Sequence, residues 1–194
     1  MVVSPFVVVL DANVLFPFVL RDTLLRAAEA DFYAARWSDQ ILNEATRNLV
    51  ASGRMPPEGA ARLAVGLGVA FPDAKVDGYE DLIPAMRNHQ GDRHVAAVAV
   101  KAGAQVIVTS NLKHFQNLPE GIEAQSPDEF LCHLFGLAPE AFPNLLARQA
   151  AALLRPPWTM VELLVALRQT VPGFVRLIEA ELGKVRFGGY VIKV

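Results

Sequence analysis

The run Val7-Val8-Val9-Leu10, followed at once by Asp11, constrains this chain more than any other feature. Four apolar, mostly β-branched residues without alternation read as a short strand buried on both faces. Strands of that kind belong to parallel sheets covered by helices on each side. A carboxylate at the carboxyl end of such a strand stands where open α/β sheets gather their chemistry. Asp11 equally suits the N-cap of a helix opening at Ala12-Asn13-Val14-Leu15-Phe16. Taken alone it does not decide between the two.

Strand and helix patterns alternate along the chain beyond Phe16. Residues Pro17–Ala30 place Leu20, Leu24, Leu25 and Ala28 on one side of a helix. Tyr33–Trp37 reads as a second strand. Ser38 caps a helix running to about Ser52, with Asp39 in its first turn and Gly53 as its stop. Pro56-Pro57 opens another helix to about Gly68, with a short strand expected near Val69–Val76 and a helical turn or two over Tyr79–Asn88.

Residues 93–102 form an Ala- and Val-rich helix closed by Gly103. Gln105–Thr109 is the clearest internal strand, and Ile122–Gln125 a final one. Ser126, Pro127 and Glu129 then make a capping box. This alternation predicts an α/β fold with three layers and a central parallel sheet of about five strands, joined by right-handed crossovers. From Leu137 the strands largely stop, and residues 138–154, 157–170 and 173–183 read as helices. The expected division is an α/β unit over residues 1–135 and a helical extension over 136–194 packed on it.

Composition narrows the classes of function. Of 194 residues 53% are hydrophobic and 20% charged, the balance of a folded chain. The single Cys132 allows no internal disulfide and no cysteine-based metal cluster. The four histidines form no His-x-x-x-His pair, which argues against a structural zinc site. The apolar stretch Met1–Leu20 lacks a basic start and is broken by Pro5, Asp11, Asn13 and Pro17. It therefore reads as buried strand and helix rather than export signal or membrane span, and a cytoplasmic protein is expected.

Net charge is −2, with no global basic signature of nucleic-acid binding. Residues 1–135 hold 11 Lys/Arg against 16 Asp/Glu, and residues 136–194 hold 7 against 4. The basic tail could contact phosphate or simply be solvated.

Three acids fall where this scaffold can bring them together. Asp11 ends the first strand. Glu44 lies near the apolar face of its helix, three residues after Ile41. Asp92 opens the helix at residue 93, where the dipole favours an anion by roughly 0.3–1 kcal/mol. Thr109-Ser110-Asn111 follows a strand as Asp11 does. Singly, Glu44 reads first as a solvated acid and Asp92 as a cap; their order and placement raise the reading that they act together. Convergent carboxylates without a paired base call for a cation. An oxygen donor set without Cys or His selects Mg²⁺ or Mn²⁺, ions that polarise phosphoryl groups and activate water.

The ordered set Leu-Asp11-Ala-Asn13, mid-helix Glu44, Gly-Asp92-Arg-His-Val-Ala-Ala and Val-Thr109-Ser-Asn111-Leu-Lys-His-Phe115 resembles the PIN domain. Within it, the set is most similar to toxin ribonucleases of the VapC type. The resemblance spans roughly residues 5–130. It implies a five-stranded parallel sheet between helical layers and metal-dependent hydrolysis of RNA phosphodiesters. It also implies a metal held by Asp11, Glu44 and Asp92, a protein antitoxin as partner, and frequent homodimers.

Many members carry an aspartate where this chain has Asn111. The site then loses a charge, which favours one firmly bound ion. Asn13 and Thr109 read as supports of the site, and Lys113 and Arg93 as phosphate contacts beside the alternative of plain surface residues. Arg93 and His94 are expected to point away from Asp92, and His89 and His114 are not expected as general bases. Phe115 reads as core. An Arg21–Asp22 salt bridge is expected in the first helix. The competing functions are a non-catalytic RNA-binding or scaffold module, a structure-specific DNA nuclease, and a phosphoryl-transfer enzyme using Asp11.

Overall fold

A computed structural model describes residues 6–153 and 157–187. Met1–Pro5 and residue 154, which the expected first segment and the expected helix 138–154 include, lie outside the described residues. Strand β1 (Val7–Leu10) is central. It pairs in parallel with β2 (Ala34–Arg36) on one side and β3 (Val106–Val108) on the other, and β4 (Glu123–Gln125) extends the sheet beyond β3. The register sets Val8 opposite Ala35 and Val106, and Leu10 opposite Val108. Val8, Val9, Leu10, Ile107 and Val108 are fully buried, as a continuous apolar strand pattern requires.

The order β2-β1-β3-β4 makes the chain reverse direction across the sheet between β1 and β3. With right-handed crossovers, the β1–β2 connection and the β2–β3 connection lie on opposite faces. The carboxyl ends of β1 and β3 therefore part at a switch point, the crevice where open sheets take ligands.

Helix α1 (Ala12–Leu15) is a single turn, and α2 (Phe18–Glu29) follows it. The remaining helices of the sheet unit are α3 (Asp39–Ala51), α4 (Pro57–Ala70) and α5 (Arg93–Ala102). Ser38 accepts the Ile41 N–H and caps α3, and Gly103, at φ 63°, closes α5 as a left-handed residue.

Three expectations are corrected among the described residues. The sheet has four strands, not about five. The strand expected near Val69–Val76 is absent because α4 runs on through Ala70; only a parallel bridge between Trp37 and Lys75 remains there. Arg21 does not pair with Asp22. Buried on α2, it donates to the Leu15 carbonyl at the end of α1 at 2.6 Å, while Asp22 pairs with Arg26 at 3.0 Å.

The tail supplies α6 (Pro127–Leu137), α7 (Ala141–Ala152), α8 (Met160–Leu167) and α9 (Pro172–Phe187). Phe130 of α6 packs edge-on against Tyr33 and Phe6, next to the first two strands. Phe142, Leu146, Leu163, Leu167 and Phe174 lie in the same buried cluster as the sheet residues. Two polar clips fix the arrangement. Buried Gln149 of α7 accepts from the Thr23 hydroxyl and donates to the Val19 carbonyl of α2. Asp128 of α6 accepts the Gly173 and Phe174 N–H groups at 3.0 and 2.8 Å, capping the first turn of α9 from another helix. No helix among the described residues is long and apolar enough to cross a membrane.

Candidate active site at the ends of β1 and β3

Asp11 follows β1 directly and is 3% exposed. Its backbone N–H donates to the Val108 carbonyl, so the ends of β1 and β3 are tied at the switch point. One carboxylate oxygen, Oδ1, accepts the Ala12 N–H at 2.7 Å. The other, Oδ2, accepts from the Thr109 hydroxyl at 2.7 Å and from the Asn13 amide at 2.5 Å. Asp11 is thus the cap of α1 and also the centre of a polar cluster.

A carboxylate offers about four lone-pair positions. Three are used here, and the one left over is on Oδ1. Burial pushes the Asp11 carboxyl above the ordinary aspartate range, against the pull of Thr109 and the Ala12 N–H. The Asp92 charge adds to the rise and His94 opposes it, which brings all three into one electrostatic neighbourhood.

Asn13 and Thr109 act as the frame. The Asn13 amide also donates to the Thr109 hydroxyl at 3.0 Å, and its carbonyl accepts the Ser110 N–H at 2.8 Å. Thr109 Oγ1 accepts the Asn111 N–H at 3.1 Å. These bonds stitch the loop after β3 to the turn after β1, so each strand end fixes the side chains of the other.

Asp92 stands in the N-cap position of α5, yet its side chain makes no capping bond. It is the last residue of a 3-10 turn (Gln90–Asp92), and its Oδ2 lies 2.7 Å from His114 Nδ1 and 3.5 Å from His89 Nδ1. The His89 and His114 rings stack at 3.9 Å with an interplanar angle of 15°. Asn111 Nδ2 also meets His114 Nδ1, at 2.7 Å.

Glu44 on α3 is partly exposed. Its Oε1 accepts from Gln40 at 3.2 Å, and its Oε2 lies 3.5 Å from Nε2 of His94. His94 is 4% exposed, and that nitrogen has no hydrogen-bond partner. Arg93 donates to the Asn88 carbonyl at 3.3 Å, Lys113 is exposed on the 3-10 turn Leu112–Phe115, and Phe115 is buried.

The histidines change one expectation, that the donors near the acids are oxygen alone. His94 is buried and directs its Nε2 to Glu44 on α3. His114 and His89 stand at Asp92 because the turn Leu112–Phe115 folds back, with the His89 N–H donating to the His114 carbonyl at 2.9 Å. The donors around the acids therefore include imidazole nitrogen as well as oxygen. The segment Asn111-Leu112-Lys113-His114-Phe115 was the available signal, but nothing in its spacing shows how the turn folds.

The family model of the VapC50 C-terminal domain matches residues 127–180. A Mycobacterium tuberculosis protein named "Putative ribonuclease VapC50" is 47% identical over 112 residues, which cover 56% of this chain and 64% of that protein. The chain thus spans just under two thirds of the length of this curated relative. No solved structure matches it. The family-model match lies in the helices after β4, and in both comparisons what the chain is similar to is VapC50.

Proposed function

We propose that the chain is a divalent-metal-dependent endoribonuclease and the toxin of a type II toxin–antitoxin pair. The observation that carries this reading is Asp11. It is a buried carboxylate at the switch point, crowded by the charge of Asp92 and left with a spare lone pair on Oδ1. The donor chemistry fits a divalent cation, which relieves the repulsion between the two acids. Asp11, Glu44 and Asp92 would hold it, with the Asn111 amide beside them. A Mg²⁺ or Mn²⁺ ion supplies polarisation of a phosphoryl oxygen and an acidified water when bound.

The chain's own groups do the rest. Thr109 and Asn13 fix the Asp11 carboxylate so that its free edge keeps one direction. Glu44, held by Gln40 and partly open to solvent, orients water. Lys113 and Arg93, flanking the cluster, meet the phosphates next to the scissile bond. Unpaired RNA suits an open crevice better than a duplex, since its bases can be splayed and read.

The sheet unit through about residue 135 carries the chemistry, and the helices from 136 onward complete its floor. An antitoxin would lay an apolar helix in a groove and send a basic side chain toward the acids. The groove between α3 and α4, lined by Val50, Ala51, Ala60 and Ala64, has a suitable floor. A homodimer would need a face other than the apolar side of α2, because Leu20, Leu24 and Ala27 are buried in the chain's own core.

Cleavage of a single-stranded RNA by the wild type, Asp11→Asn and Asp92→Asn tests the reading. Each substitution is expected to lower the rate at least about a hundredfold while the protein stays folded. Undiminished metal-dependent cleavage by either variant contradicts it.

A further inference from the structure

The donors at Asp92 do not match a site built from oxygen alone. Three ligating side chains, His89, Asp92 and His114, bring one donor atom each to within 4.8 Å of one another. They come from two turns far apart in sequence, and the stacked rings and the His89–His114 backbone hydrogen bond hold those turns together. Donor atoms sharing one ion at ordinary bond lengths lie about 3 Å apart. The 2.7 Å between His114 Nδ1 and Asp92 Oδ2 and the 3.5 Å from His89 Nδ1 bracket that spacing.

His114 Nδ1 also has two polar neighbours. It meets Asp92 Oδ2 and Asn111 Nδ2, both at 2.7 Å, with either one proton or one lone pair to offer. A protonated Nδ1 donates to Asp92, and the Asn111 amide then presents its oxygen to the ring. A bare Nδ1 accepts from Asn111 and sets its lone pair against a carboxylate. In that second state Nδ1 and Oδ2, 2.7 Å apart, are two ligand atoms close enough to share one cation, which would relieve their repulsion. His89 Nδ1 accepts the Gly91 N–H at 3.3 Å, a long contact that makes it the looser donor of the pair.

From this geometry we propose that His114, with Asp92 and assisted by His89, forms a mixed nitrogen–oxygen seat for a borderline transition ion such as Mn²⁺. This seat lies beside the carboxylates and discriminates against Mg²⁺. Imidazole nitrogen favours first-row transition ions, whereas Mg²⁺ keeps to oxygen and water. The inference rests on the reading of Asp92 as a metal ligand and adds the chemistry that selects the ion. Asp92 is then shared between the acids on the Asp11 side and the imidazoles on the other.

The test is pulsed electron paramagnetic resonance of Mn²⁺ added to the full chain, which detects ¹⁴N nuclei bonded to the ion. Titrations of Mn²⁺ and Mg²⁺ against the wild type, His114→Asn and His89→Asn accompany it. The wild type is expected to show ¹⁴N coupling and to prefer Mn²⁺. His114→Asn should lose the coupling and weaken Mn²⁺ at least about tenfold with little change for Mg²⁺, and His89→Asn should show a smaller loss. Bound Mn²⁺ without ¹⁴N coupling in the wild type, or equal Mn²⁺ affinity in His114→Asn, overturns the proposal and leaves His114 a hydrogen-bond partner of Asp92. In that outcome RNA cleavage abolished by Asp11→Asn would still uphold the nuclease reading, so the two fail separately.

Discussion

Asp11 concentrates the physical argument in one residue. A carboxylate that is 3% exposed is held by three hydrogen bonds, yet burial and Asp92 together raise its proton affinity above the ordinary aspartate range. An acid whose folded-state pKa is raised binds its proton more readily folded than unfolded. Its contribution to stability is therefore present at low pH and is lost as pH rises from the ordinary aspartate value through the folded one. In the metal-free protein, the melting temperature of the wild type relative to Asp11→Asn should fall between pH 4 and pH 7. Mn²⁺ should restore it, and more so at pH 7. A difference that stays flat across that range would show that the Asp11 charge carries no penalty.

The strand ends made Asp11, Thr109 and Asn111 legible from sequence, because a polar residue after a continuous apolar run can lie only at the edge of the sheet. His94 and His114 were not legible. Their positions depend on two 3-10 turns, Gln90–Asp92 and Leu112–Phe115, whose residues show no periodicity.

Among the elements, those with explicit punctuation were read within a residue or two. Ser38, Gly103 and the Ser126–Glu129 capping box each stop or start a helix through a named hydrogen bond or a left-handed residue. The failure at Val69–Val76 has the opposite cause. Gly68 suggested an end to α4, but the helix continues to Ala70, and Val69 stays exposed on it.

The start of α9 has a cap that no local pattern announces, because its acceptor, Asp128, belongs to α6. Asp128→Ala should cost about 1–2 kcal/mol, the usual value of a lost cap, read as a lower midpoint in urea unfolding. Gly173→Ala should also destabilise, since a Cβ there would stand 2.8 Å from Asp128 Oδ2. Unchanged midpoints for both would mean that apolar packing, such as Phe135 on Phe174, holds the contact between α6 and α9 without the cap.

At the scale of the molecule, the sheet order determines where chemistry can occur, and the tail determines whether the sheet is covered. The parallel order β2-β1-β3-β4 opens the crevice at β1 and β3, where Asp11 directly follows β1 and Asp92 precedes α5, the helix that packs on both strands. The helices from α6 onward pack on Phe6, Tyr33 and the inner side of α2 on the face across the sheet from α5. Their apolar positions were visible in the sequence. Their partners were not, because nothing local in a helix says which sheet it will cover.

The central claim is that these strand ends form a metal-dependent site that cuts RNA. The most direct measurement is incubation of the purified chain, free of any antitoxin, with an equimolar pool of single-stranded RNA and DNA, in Mn²⁺ and in EDTA. RNA cut and DNA spared in Mn²⁺, with both intact in EDTA, is the predicted result. Cleavage that persists in EDTA, or a folded chain that leaves the RNA whole in Mn²⁺, would contradict the account.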